Sequence, residues 1–184
     1  MIKGILFDLG DTIVIEDSVT SLLDPQAKLV PYAKEVISAL SGQYRLAVVT
    51  NTFVSTKLEV KIALHNLALD QYFDVIVTSV DVGYEKPHEE IFRVALQELG
   101  FRPSEVVMVG IAHASRRTTS HENCVIFKGD RIEKDVVGAN RMGIVSILCK
   151  WNDRYPEQIK GEMEKPTYSI HSLKELPQIL SEMK

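Results

Sequence analysis

Cysteine is scarce in this chain: Cys124 and Cys149 are the two present, with no CxxC and no Cys/His ligand spacing. A disulfide framework and a zinc-built domain are therefore excluded, and reduced, partly buried thiols are expected. Also missing is any apolar run of about 20 residues, the length a membrane-spanning helix needs. The opening MIKGILFDLG holds only a short apolar run before a charge, too brief for a secretory leader. Positive charge is not in excess either. With 21 Lys and Arg against 25 Asp and Glu, the net charge is −4 and the pI near 5.8. The basic pair Arg116-Arg117 is too short to change that balance, so neither nucleic acid nor a membrane surface is indicated as partner. Repeats, low-complexity stretches and linkers are absent. What these absences leave is a soluble, cytoplasmic, globular chain. Its 184 residues are read most simply as one domain, 1–184, burying about 70% of the unfolded surface.

What is present is an alternation of apolar runs with helical patterns, the signature of a parallel α/β sheet. Candidate strands are 3–7 (KGILF), 45–49 (RLAVV), 74–78 (DVIVT), 105–109 (EVVMV), 144–148 (IVSIL) and a short 168–170. They are almost continuously apolar, as strands covered on both faces are. Leu29, Ala33, Val36, Ile37 and Leu40 recur at helical spacing and predict a helix over 29–41. Others are predicted over 56–65, over 88–99 between Pro87 and Gly100, and over 135–142 before Gly143. A last helix starts at Ser172, where Glu175 completes capping-box spacing, with Pro177 inside the pattern. One segment, 111–129, breaks the rhythm: polar at first, then briefly apolar at 125–127.

Four features carry candidate chemistry. FDLGDT places Asp8 directly after the first strand, where ligands of open α/β sheets bind; such an Asp either meets a cation or caps a turn. Thr50-Asn51 ends the second strand, offering a hydroxyl and an amide to an anionic oxygen or, equally, a cap to the next helix. In GYEKPHEEIF, Pro87 fixes the chain and aims Lys86 from a loop that could also be plain surface. Asp130 and Asp135, in GDRIEKDVVGANRMG, bracket a helix start; they suit a divalent cation or the helix N-terminus.

Taken in order, these four motifs resemble those of the haloacid dehalogenase-like hydrolase superfamily. FDLGDT is similar to its first motif, LAVVTN to its second, VGYEKPHEEIF to its third and DRIEKDVVGANRMG to its fourth. The resemblance implies a Rossmann-like, three-layer α/β/α fold with a mainly parallel sheet. It also implies a Mg²⁺-dependent phosphatase working through a covalent aspartyl intermediate. On that reading Asp8 is nucleophile and metal ligand, and the Gly10 carbonyl is a second ligand. Thr50 and Asn51 hold the phosphoryl group, Lys86 neutralises it, and Asp130 completes the metal site. Asp135 is a further ligand or the orienter of Lys86. A carboxylate approaching a phosphate dianion needs such cations nearby.

Three departures qualify the resemblance. Phosphatases of the superfamily carry a second Asp, as general acid and base, where this chain has Gly10. Asp11, one place later, is the candidate replacement, with Glu16 and Asp17 further acids close by; the alternative for Asp11 is a turn conformation that glycine usually fills. Only 42 positions separate Asp8 from Thr50, room for a flap at 14–29 but no full cap domain. An uncapped site is open to water, which favours phosphoesters, bulky ones included, over 2-halo acids. Last, 111–129 inserts 19 residues into the fourth motif. It is read as a loop beside the site, whose His113, Arg116, Arg117 and His121 could contact phosphate or equally be ordinary solvated surface; alternatively NCVIFKG replaces EVVMVG as the strand before Asp130. Gly10 and this insertion also motivate a different reading, a catalytically impaired protein that binds a phosphorylated ligand or a partner.

Overall fold

The computed structural model describes residues 1–16, 22–24, 26–111, 132–152, 159 and 161–183. Asp17, Cys124, Asp130, and the His113, Arg116, Arg117 and His121 of the insertion lie outside the described residues, as does NCVIFKG. Among the described residues six parallel strands form one sheet: β1 Gly4–Phe7, β2 Arg45–Thr50, β3 Val75–Thr78, β4 Val106–Ile111, β5 Val145–Cys149 and β6 Tyr168–Ile170. Their order is β3-β2-β1-β4-β5-β6. The chain steps outward from β1 through β2 to β3, then crosses back to β4 and continues the other way. The reversal falls between β1 and β4, where a crevice opens beyond the strands' carboxyl ends. EVVMVG is thus the strand next to β1, with Gly4 opposite Val106 and Phe7 opposite Val109.

Strand side chains alternate between faces, and the burial divides accordingly. Ile5, Phe7, Leu46, Val48, Val107 and Val109 point into one apolar layer. It is closed by α1 Ala33–Ser41, α2 Lys57–Asn66 and α6 Leu176–Glu182. Leu6, Ala47, Val49 and Met108 point into the opposite layer, closed by α4 Glu89–Leu99 and by Ala139 of α5 Ile132–Arg141. A short helix, α3 Ser79–Val82, follows β3. This is the expected three-layer α/β/α arrangement.

Several ends differ from the sequence expectation. The first helix starts at Ala33, not at 29, because Leu29 pairs with Val14 in an isolated antiparallel bridge. The Ile15 N–H donates to the Lys28 carbonyl at 2.8 Å and the Val30 N–H to the Ile13 carbonyl at 2.9 Å. Residues 13–15 and 28–30 thereby pair as two short antiparallel arms. Thr56, not Thr50 or Asn51, caps α2, its N–H donating to Glu59 Oε2 at 2.8 Å. Pro177 lies in the first turn of α6 instead of its interior, after a 3₁₀ turn at Leu173–Glu175. There a missing N–H costs the helix nothing. Cys149 is buried, and desolvation pushes its thiol up to about 12, the inert thiol expected.

Packing of α5 on α4 reaches the loop that carries Lys86. A Cβ added at Gly138 would overlap the Phe92 ring and lie 3.3 Å from the Pro87 Cα. Helix propensity alone favours Ala over Gly by about 1 kcal/mol, but overpacking costs about 1–3 kcal/mol. Gly138→Ala is therefore expected to lower stability, read as a lower urea midpoint with an unchanged m-value; a raised midpoint would contradict the close approach.

Candidate active site

Asp8 follows β1 at the switch point, and its N–H still donates to the Val109 carbonyl at 2.9 Å, so it is fixed by the sheet itself. Its carboxylate is 2% exposed by residue and meets Lys86 there. Although it comes from a loop, Lys86 is only 1% exposed. Its Nζ donates to Asp8 Oδ1 at 2.8 Å, to Asp135 Oδ1 at 2.7 Å and to the Val49 carbonyl at 2.8 Å. Three acceptors match the three N–H groups of an ammonium. A buried charge persists only when paired and hydrogen-bonded, and this one is both. The surface reading of Lys86 is excluded by that burial.

Two neighbours hold this arrangement in place. Asn51 Oδ1 accepts from the Lys86 N–H at 2.8 Å, and Asn51 Nδ2 donates to the Lys86 carbonyl at 3.2 Å. The Asn51 side-chain amide thus clamps the backbone of Lys86. Asp135 stands over Gly110, the penultimate residue of β4, where a Cβ would lie 2.6 Å from the Asp135 Cγ. Only glycine admits the carboxylate at that point. Gly110 was not singled out by sequence; a glycine at the end of an apolar strand was the available signal. Thr50 is buried at the end of β2, opposite Thr78. Thr52, just beyond, is tied to Ser79 by a backbone N–H donated to Ser79 Oγ at 2.9 Å.

The turn after Asp8 is equally constrained. Asp11 adopts the left-handed conformation, φ 50°, the turn reading of this residue. Its Oδ1 accepts from the Glu16 N–H at 2.8 Å, and its carbonyl accepts from Trp151 Nε1 at 2.6 Å. Trp151 thus anchors the turn. Thr12 Oγ1 donates to Asp8 Oδ2 over a long 3.4 Å.

Two buried carboxylates share one ammonium, a formal charge of −1 at the mouth of the sheet, and all of their donor atoms are hard oxygens. That donor chemistry fits a small divalent cation such as Mg²⁺, which takes oxygen ligands. Among the described residues no three His, Cys, Asp or Glu side chains gather as a metal cluster. The structure therefore brings Asp8 and Asp135 together, while the expected contribution of Asp130 lies outside the described residues.

The buried ion triad sets a stability prediction. Lys86→Met leaves two carboxylates facing each other without their counter-charge, a change of the kind that costs about 3–5 kcal/mol. Asp135→Asn is expected to cost less, since Lys86 keeps Asp8 and the Val49 carbonyl. Urea denaturation of the two variants at pH 7 tests the order; equal, small losses would contradict it.

Comparison with known proteins accords with this geometry. Residues 19–110 match the family model of haloacid dehalogenase-like hydrolases, and residues 111–176 that of HAD-hydrolase-like proteins. A ribulose-1,5-bisphosphate 5-phosphatase of Halopiger xanaduensis is 30% identical over 177 residues, 94% of this chain and 65% of that protein. The pyrophosphatase PpaX of Bacillus cereus is 31% identical over 154 residues, 81% of this chain and 58% of that protein. The chain thus spans between about half and two thirds of the length of the curated relatives it matches. The magnesium-bound HAD-hydrolase YfnB of Bacillus subtilis superposes with a TM-score of 0.72 at 18% identity, covering 97% of this chain and 98% of that one, which bears on the fold alone. On these matches, the chain belongs to the haloacid dehalogenase-like hydrolase family.

Proposed function

We propose that this chain is a Mg²⁺-dependent phosphatase that hydrolyses a phosphomonoester through an aspartyl-phosphate at Asp8. The observation that carries the reading is the buried contact of Asp8 with Lys86, itself held by Asp135. The phosphatases named among the relatives support the reaction class. Asp8 is aligned by the sheet and by Lys86, so its carboxylate is held at the end of β1 without a search through rotamers. Attack on phosphorus forms the acyl phosphate and releases the alcohol; water then attacks phosphorus, restoring the carboxylate and freeing phosphate.

Lys86 moderates the repulsion between carboxylate and phosphoryl oxygens, and Asp135 keeps its ammonium aimed at Asp8. Thr50, at the tip of β2, contributes a hydroxyl to the transferred group. Asn51 serves through Lys86, whose backbone it clamps. Asp8, the Gly10 carbonyl, Asp135 and Asp130 would hold the cation. Bound there, Mg²⁺ supplies the positive charge that lets an anion attack a dianion.

Phe53 and Val54, a few residues beyond Thr50 at the end of β2, are exposed, and on this reading they would give the open side of the site an apolar edge. A phosphorylated substrate with a bulky remainder fits this better than a small one needing enclosure. The test is turnover of p-nitrophenyl phosphate with and without Mg²⁺, alongside calorimetric titration of the metal. Release of p-nitrophenolate that needs Mg²⁺ and is abolished in Asp8→Asn is expected. Absence of turnover beside measurable phosphate binding would favour the impaired, ligand-binding reading instead.

A further inference from the structure

The phosphoryl transfer proposed above needs two proton movements. The departing alkoxide must gain a proton in the first step, and the attacking water must lose one in the second. Asp8, Asp135 and Asp11 are built into the sheet edge and the turn. Asp8 and Asp135 both face Lys86 at 2.8 Å or less. Asp11 is folded into the turn: its N–H donates to the Val14 carbonyl at 2.6 Å, its Oδ1 accepts from the Glu16 N–H, and its carbonyl holds Trp151.

Glu16 lies against Gly10. A Cβ added at Gly10 would overlap Glu16 Oε1 and lie 2.9 Å from its Cδ and 3.2 Å from its Cγ. The carboxyl group of Glu16 therefore occupies the space that a side chain at position 10 would enter. Position 10 is two residues beyond Asp8, a span of at most about 7 Å along the backbone. Glu16 reaches it because the flap folds back. Gly10 bridges to Val14, Val14 bridges to Leu29, and the Asp11 carboxylate pins the Glu16 backbone at 2.8 Å. Glu16 is partly exposed, so its carboxyl can exchange protons with water.

We infer that Glu16 is the catalytic acid and base of this site, delivered from the flap through the space that Gly10 leaves open. This rests on the phosphatase reading. In the first step an Asp8 oxygen forms a bond to phosphorus and the phosphorus–alkoxide bond breaks. The Glu16 carboxyl gives its proton to the departing oxygen and becomes a carboxylate. In the second step that carboxylate takes a proton from the water whose oxygen attacks phosphorus. The Asp8–phosphorus bond breaks, and phosphate leaves with Asp8 and Glu16 restored.

The test compares two substrates in wild type and Glu16→Gln with Mg²⁺ present. Glycerol phosphate has a poor leaving group that needs the proton, whereas p-nitrophenolate departs without one. Glu16→Gln is expected to lower kcat/KM for glycerol phosphate by about 10²–10⁴, with a much smaller loss in the p-nitrophenolate burst. The double variant G10D/E16A is expected to recover transfer from glycerol phosphate relative to E16A alone, because the vacated space admits an acid from position 10. Equal loss on both substrates would make Glu16 a positioning residue and overturn the inference, as would an undiminished glycerol phosphate rate in Glu16→Gln. A wild type without Asp8-dependent release from either substrate overturns the parent reading, and this one with it.

Discussion

The structure turns on one buried ammonium. Lys86 is enclosed at the carboxyl edge of the sheet between the carboxylates of Asp8 and Asp135, with the Val49 carbonyl as third acceptor. Removing three charges from water is costly, and the arrangement stands because each N–H has an oxygen to meet. That requirement ties together the end of β1, the end of β2 and the first half of α5. The reversal of strand order between β1 and β4 lies at this same edge. Asn51 and Gly110 follow from the same constraint. One clamps the lysine's backbone from both sides; the other withholds a side chain so that Asp135 can come close. The residual negative charge of the pair is what makes a cation welcome at this edge.

A second glycine works by the same logic on the other side of Asp8. At Gly10 the absent side chain leaves room for the carboxyl group of Glu16. The turn that returns Glu16 to this place is held by Asp11 in the left-handed conformation and by Trp151 across the site. The position that reads in one dimension as a lost acid is, in three, a space that the Glu16 carboxyl fills. The pairing of 13–15 with 28–30 gives that turn its support.

Strands were legible because burial on both faces demands unbroken apolar runs, and each run appears in the sheet within two residues of its expected ends. The start of α1 was not legible, since Leu29 falls in phase with the helical repeat while serving the flap bridge to Val14. Periodicity records only that a residue is buried on a given side, not by what. At the site, Asp8 and Lys86 could be read from motif order, as could the alternative for Asp135 as orienter of Lys86. The side-chain role of Asn51 and the closeness of Gly110 to Asp135 and of Gly10 to Glu16 could not. They depend on which loops the fold brings face to face, and no spacing along the chain encodes that.

The central claim is that Asp8, oriented by Lys86, becomes covalently phosphorylated. The direct measurement is to quench the protein during turnover of a phosphomonoester with Mg²⁺, reduce with borohydride and map the peptides by mass spectrometry. The account predicts that reduction converts Asp8 alone, in a substrate-dependent manner, and that Lys86→Met lowers the yield. Reduction at a different aspartate, or a phosphoryl group on histidine or serine with Asp8 intact, would contradict it.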